Sequence, residues 1–169
     1  MSSLQGSTIP NTTFVYIPYS PELADKKTSG SPTSFQTHDR WKGKKVVIVA
    51  VPGAFTPTCT SKHVPPFIEK LDELKSKGVD ELVVISANDP FVQSAWGMSL
   101  GAKEAPIFAQ DLNVEFSKQI DATLDLTQKG MGLRTGRYAM IVNDLKVDYF
   151  GRDPNEVQLS SAETVLSKL

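Results

Sequence analysis

The chain has 169 residues, 40% of them hydrophobic, and its 18 Lys and Arg against 19 Asp and Glu leave a formal net charge of -1. That length supports one globular domain with a real core, and the balanced, scattered charge offers no basic stripe for nucleic acid or an anionic membrane. No apolar run approaches the roughly 20 residues of a membrane-spanning helix, the opening MSSLQGSTIP lacks a signal-peptide layout, and the single cysteine excludes an internal disulfide or a Cys-rich zinc site, so a soluble, non-secreted protein of a reducing compartment is expected.

Residues 1–43 read as an irregular N-terminal extension with a short hairpin or strand. Within it, Pro18 to Gly43 is rich in Pro, Ser, Thr and Lys, lacks periodicity, and leaves room for one short turn of helix. Regular patterning starts at the β-branched run VVIVAV (Val46 to Val51), a buried strand, followed by the turn PGAFTPTC and a helix over 59–77. Further strands are expected at LVVISA (Leu82 to Ala87), PIFAQ (Pro106 to Gln110) and YAMIVND (Tyr138 to Asp144), and further helices over 90–100, 112–120 and 161–168. Asn143-Asp144, between YAMIV and KVDYFG, predicts a hairpin before the last helix. Alternating strands and helices, then a hairpin and a covering helix, give an α/β plan of thioredoxin-like type: residues 1–169 as a single domain whose mixed central sheet is flanked by helices.

The only thiol, Cys59, stands where a strand turns into a helix. A free cysteine is often just a small buried hydrophobe. At a helix start, however, unpaired backbone N–H groups and the macrodipole favour an anion, so the reactive thiolate is the expected form. Thr56, three residues earlier, can donate and accept beside the sulfur, although a threonine there also serves as a plain cap or turn former. Pro52 and Pro57 stiffen the loop and give it an apolar wall. His63, four residues after the cysteine, lacks the surroundings of a hydrolase base and is expected to pack or hydrogen-bond near the site. His38, beside Asp39 and Arg40, reads as solvated. Two separated histidines and one cysteine are too few soft ligands for a metal site, and no cofactor is expected. Arg137, directly before YAMIV, is either surface charge or a guanidinium aimed at the thiolate. Trp41 and Trp96 read as core or interface anchors.

PGAFTPTC resembles the peroxiredoxin pattern P-x-x-x-T-x-x-C at Pro52, Thr56 and Cys59, and its longer form is similar to the type-II, fifth-class peroxiredoxins and their fungal peroxisomal and allergen relatives. KGVDELVVISANDPFVQSAWG, GRYAMIVND and SSAETVLSKL extend the likeness over residues 40–169, with a weaker echo in TFVYIP. The resemblance implies a thiol-dependent peroxidase that reduces hydrogen peroxide and alkyl hydroperoxides through a sulfenic acid on Cys59. It makes Arg137 the catalytic arginine, with Arg134 as the fallback, gives Pro52 the task of shielding the sulfur, and implies a homodimer in which Phe91 and Trp96 of DPFVQSAWG could anchor the interface. Where several fungal relatives carry a second, resolving cysteine, this chain has Ser29. A one-cysteine cycle then needs an external thiol, glutathione or a thioredoxin-like protein. Ser167-Lys168-Leu169 match the S-K-L address read by the peroxisomal import receptor, so a peroxisomal location is expected, with the cytoplasm as the alternative. Competing readings are a monothiol disulfide-exchange protein and a non-enzymatic holdase.

Overall fold

A computed structural model describes residues 3–25 and 27–169. Nine strands form: β1 (Thr13–Tyr16), β2 (Thr33–Gln36), β3 (Lys45–Ala50), β4 (Glu81–Ser86), β5 (Ile107–Asp111), β6 (Thr123–Leu126), β7 (Gly132–Thr135), β8 (Tyr138–Asn143) and β9 (Lys146–Arg152). Seven of them make one sheet in the order β2-β1-β5-β4-β3-β8-β9, while β6 and β7 pair separately. β3 runs parallel to β4, and β4 to β5; the flanking strands are antiparallel, so the sheet is mixed, in the thioredoxin-like arrangement.

Both faces of β3 are covered, which is why its sequence is an unbroken apolar run. Successive side chains of a strand point to opposite faces. Val47, Val49 and Val51 accordingly join Phe67, Leu74, Trp96 and Val165 around Cys59. Val46, Ile48 and Ala50 join Phe14, Trp41, Phe116 and Tyr138 on the other side. Phe14 is the hub of that second layer, edge-on to Phe35, Trp41 and Phe116 at ring distances of 5.8, 5.5 and 5.4 Å.

The helices are α1 (Thr37–Trp41), α2 (Pro65–Glu69), α3 (Leu71–Ser76), α4 (Pro90–Ser99), α5 (Glu115–Gln119) and α6 (Ala162–Lys168). α4 is well capped, with the Asp89 carboxylate accepting from Phe91 N and Val92 N and Pro90 in the first turn. α6 starts on Ser161, whose hydroxyl accepts from Thr164 N. None of the described helices is long and apolar enough to cross a membrane.

Three expectations change. The helix over 59–77 is broken: a π turn spans Cys59–His63, the chain bends at Val64, and α2 and α3 follow as separate short pieces. Pro65 and Pro66 supply no N–H, so no α-helical bonding pattern can run through them; the last donor before them, Val64 N, reaches back five residues to Cys59 O at 3.2 Å. The helix over 112–120 begins instead as a 3-10 turn at Leu112–Val114 with left-handed Asn113 and Val114, and only then becomes α5, whose first amides are held by the Asp111 carboxylate. The segment 18–43 contains a 3-10 turn at Pro21–Asp25 together with β2 and α1, and β2 pairs with β1. The turn between β8 and β9 uses Asp144 and Leu145, both at positive φ (46° and 69°), the conformation that two-residue hairpins require.

Candidate active site

The loop from Val51 to Thr58 leaves the end of β3 and is tied down on several sides. Thr135 donates its hydroxyl to Val51 O at 2.6 Å. Asn88, just past β4, accepts from Ala54 N at 2.9 Å and from Arg134 Nη1 at 3.4 Å. Arg134 also donates to Met131 O at 2.7 Å and to Pro52 O at 3.5 Å. Inside this frame Phe55 adopts φ 61°, a left-handed conformation costly for a bulky side chain and of the kind that clusters at functional sites.

Cys59 opens the π turn and is 1% exposed. Arg137 Nη2 donates to its Sγ at 3.5 Å, and Arg137 Nη1 lies 3.0 Å from His63 Nδ1. The other ring nitrogen of His63 is 2.9 Å from Ser160 O. A carbonyl only accepts, so Nε2 carries the proton and Nδ1 is left as an acceptor for the guanidinium. His63 is fully buried, and burial first, with the neighbouring Arg137 charge adding to it, pushes its pKa down to about 4 against a partial counter-effect of the Ser160 carbonyl. The imidazole is therefore neutral at physiological pH and holds Arg137 without adding charge.

Ser160 is fixed in its turn by Asp153. That carboxylate accepts from the backbone amides of Gln158, Leu159 and Ser160 at 2.9, 3.0 and 2.8 Å and from the Ser160 hydroxyl at 2.7 Å. A line of hydrogen bonds thus runs from the turn before α6 through Ser160, His63 and Arg137 to the sulfur. Reading the sequence located His63 near the site but missed Ser160 and Asp153; the only trace was an aspartate followed by a polar turn before the last helix.

Thr56 donates its hydroxyl to Gly53 O at 2.7 Å, and its carbonyl accepts from Thr60 N. With its proton so engaged, the Thr56 oxygen keeps its lone pairs free. Pro52, Thr56 and Arg137 are among the residues that line a groove of about 1440 Å³. The structure therefore gathers Pro52, Thr56, Cys59 and Arg137, and it turns Arg134 towards the loop backbone.

One sequence expectation narrows to its core alternative and one fails. Trp96 is fully buried and donates its Nε1–H to Thr60 Oγ1 at 3.1 Å, so it is a core residue behind the site and not an interface anchor. His38 is half-buried, with Nε2 2.7 Å from Ile9 O, and is not freely solvated.

A family model described as Redoxin matches residues 4–166. A protein described as a peroxiredoxin from Malassezia furfur is 73% identical over 164 residues, covering 97% of this chain and 99% of its own length. The chain belongs to the peroxiredoxin family. It is also 50% identical, over 92% of its length and 94% of the other's, to a protein described as a peroxisomal peroxiredoxin from Lipomyces kononenkoae. Among solved structures, reduced Prx3 of Vibrio vulnificus in complex with hydrogen peroxide superposes with a TM-score of 0.85 at 38% identity, covering 99% of this chain and 98% of that one. As a peroxiredoxin the protein is a thiol-dependent peroxidase, and its only cysteine is Cys59.

Proposed function

We propose that this peroxiredoxin reduces hydrogen peroxide and alkyl hydroperoxides at Cys59, with Arg137, Thr56 and Pro52 as the other members of the site, and that an external thiol returns it to the reduced state. The observation that carries this reading is the Arg137 guanidinium at 3.5 Å from Cys59 Sγ, locked there by a neutral His63. The thiolate attacks the terminal peroxide oxygen in line with the O–O bond. That bond breaks, sulfur gains the hydroxyl as a sulfenic acid, and the leaving oxygen departs as hydroxide or alkoxide and takes up a proton. Arg137 stabilises the negative charge as it moves from sulfur to the leaving oxygen. The free lone pairs of Thr56 accept a hydrogen bond from the hydroperoxide O–H and orient the O–O axis, while Pro52 keeps water from the sulfur.

The second half of the cycle follows from cysteine arithmetic. The sulfenic acid meets one outside thiol, releases water and forms a mixed disulfide, and a second thiol then frees Cys59. Glutathione or a thioredoxin-like protein fits this task, because Ser29 cannot act as a resolving group. With the sulfur 1% exposed, this step requires the π turn to open.

A homodimer is part of the proposal. Phe55 and Phe91 are 54% and 49% exposed, and the Ala54–Asn88 hydrogen bond ties the loop that carries Phe55 to the segment just before α4, whose first turn carries Phe91, an aromatic surface suited to an interface core. Ser167-Lys168-Leu169, together with the relative described as peroxisomal, supports residence in peroxisomes through the import receptor, with the cytoplasm as the alternative. The test is intact mass after excess peroxide, with and without glutathione. A single glutathione adduct on Cys59 in one sample and added oxygens in the other are expected; a quantitative disulfide-linked dimer in both would contradict the one-cysteine cycle.

A further inference from the structure

The chain from Gly53 to Thr56 folds back on itself. The Thr56 hydroxyl donates to Gly53 O at 2.7 Å, and a Cβ on Gly53 would stand 3.0 Å from Thr56 Cγ2. Phe55, between them, holds φ 61° while more than half exposed, so its own packing does little to keep it there. A strained conformation persists only where its surroundings over-determine it. The contact that meets this need is one residue away: Ala54 N donates to Asn88 Oδ1 at 2.9 Å.

Asn88 is itself fixed from the sheet. Its backbone N–H donates to Ser86 Oγ, at the end of β4, at 3.1 Å. The single hydroxyl proton of Ser86 faces two acceptors, Gln93 Oε1 at 2.9 Å and Asn88 Oδ1 at 3.1 Å. Gln93, on α4, is fully buried and spends Nε2 on Val84 O and Ala109 O at 3.3 and 2.8 Å; among the described residues Ser86 is the donor to its oxygen. Leaving a buried amide oxygen unmatched is costly, so the proton goes to Gln93. The Asn88 oxygen is then shared by Ala54 N and, at 3.4 Å, Arg134 Nη1, one donor for each lone pair. A polar line thus runs from β5 and β4 through α4 to the catalytic loop and ends on the residue before the strained one.

Resting on the peroxidase reading, we infer that Asn88 is a positioning residue for peroxide reduction: by fixing Ala54 it keeps Phe55 left-handed and so sets the direction of the Thr56 lone pairs that orient the hydroperoxide. It acts on the geometry of the loop and not on the charge of the sulfur, because Arg137 is held separately, by His63. Without Asn88 the Ala54 amide loses its partner, Phe55 relaxes to negative φ, and Thr56 turns away from the O–O axis.

The test compares two reactions of the same thiol in the full-length protein: oxidation by hydrogen peroxide, which uses Thr56, and alkylation by iodoacetamide, which needs only an accessible thiolate. Asn88→Ala should slow the peroxide reaction about tenfold, well within the cost of a misplaced reacting geometry, and leave the alkylation rate unchanged. Asn88→Asp keeps an acceptor for both donors and should bring the peroxide rate back to within about threefold of wild type. Where Asn88→Ala does not fold, Asn88→Leu, close in volume and without an acceptor, takes its place. A wild-type peroxide rate in either folded variant overturns the proposal. So does a parallel loss of both reactions, or alkylation that speeds up because the loop has loosened around the buried thiol, since either makes the role of Asn88 merely structural; an Asn88→Asp protein as slow as Asn88→Ala overturns it too. Wild-type protein that consumes no hydrogen peroxide would sink the peroxidase reading itself, a separate outcome.

Discussion

Arg134 and Arg137 lie three residues apart in LRTGRY, and both reach towards the loop that carries Cys59, yet they do different work. Arg134 donates to two backbone carbonyls and an asparagine, all neutral, and braces the loop from below. Arg137 donates to a neutral imidazole and to sulfur. In the first, charge is incidental to hydrogen-bond count. In the second, both donors are placed so that a fixed positive charge faces the reacting atom. A cation's role in a site is thus set by what holds it and what it faces, more than by how near it lies in the chain.

The sharpest separation should come from paired conservative substitutions. Arg137→Lys should slow peroxide reduction about a hundredfold, the scale of losing one preorganised donor to a developing charge, because lysine lacks the planar fork. Arg134→Lys should stay within about threefold, since a brace acts only through position. Stopped-flow rates decide it, and equal losses would erase the distinction between the two.

The holder of Arg137 gives the next largest effect. His63 has a folded-state pKa of about 4 against an ordinary 6.5. Above that ordinary value neither state binds the proton. As pH falls below it the unfolded chain is protonated while the folded protein refuses the proton, so stability declines until the folded value is reached, by about 3 kcal/mol in all at about 1.4 kcal/mol per unit. Denaturant midpoints at pH 7 and pH 5 should show the fall, and His63→Gln should flatten it; an unaltered slope in the variant would assign the acid sensitivity to other groups. Smallest of the three, Arg134→Gln should lower the melting temperature by about 2–4 °C, the worth of about 1 kcal/mol of lost hydrogen bonding in a domain of this size. An unchanged melting point would show that the loop stands without its brace.

The central sheet was legible because β3, β4 and β8 are apolar on both faces, leaving no competing pattern. The β6–β7 hairpin was not, since its strands are short and half-exposed. The break in the helix over 59–77 was written in Pro65 and Pro66, but apolar spacing at helical period ran on past them and masked it. In the site, motif residues close in sequence could be read together. The His63–Ser160 bond joins positions 97 apart and Arg137–Cys59 positions 78 apart, separations that no local pattern encodes. For Trp96 the sequence leaves core and interface open, because bulk alone does not distinguish them; its single polar atom needs a partner, and Thr60 is one residue from the thiol.

That last contact makes the molecule its own optical gauge. The two tryptophans lie on opposite faces of the sheet, Trp96 against the turn that begins with Cys59 and Trp41 within the aromatic cluster around Phe14. Oxidation or opening at the turn alters the polarity around one indole and leaves the other in its apolar shell. Emission from Trp96 should therefore follow the redox state of Cys59 in real time without a dye, while Trp41 supplies a constant background from the same chain.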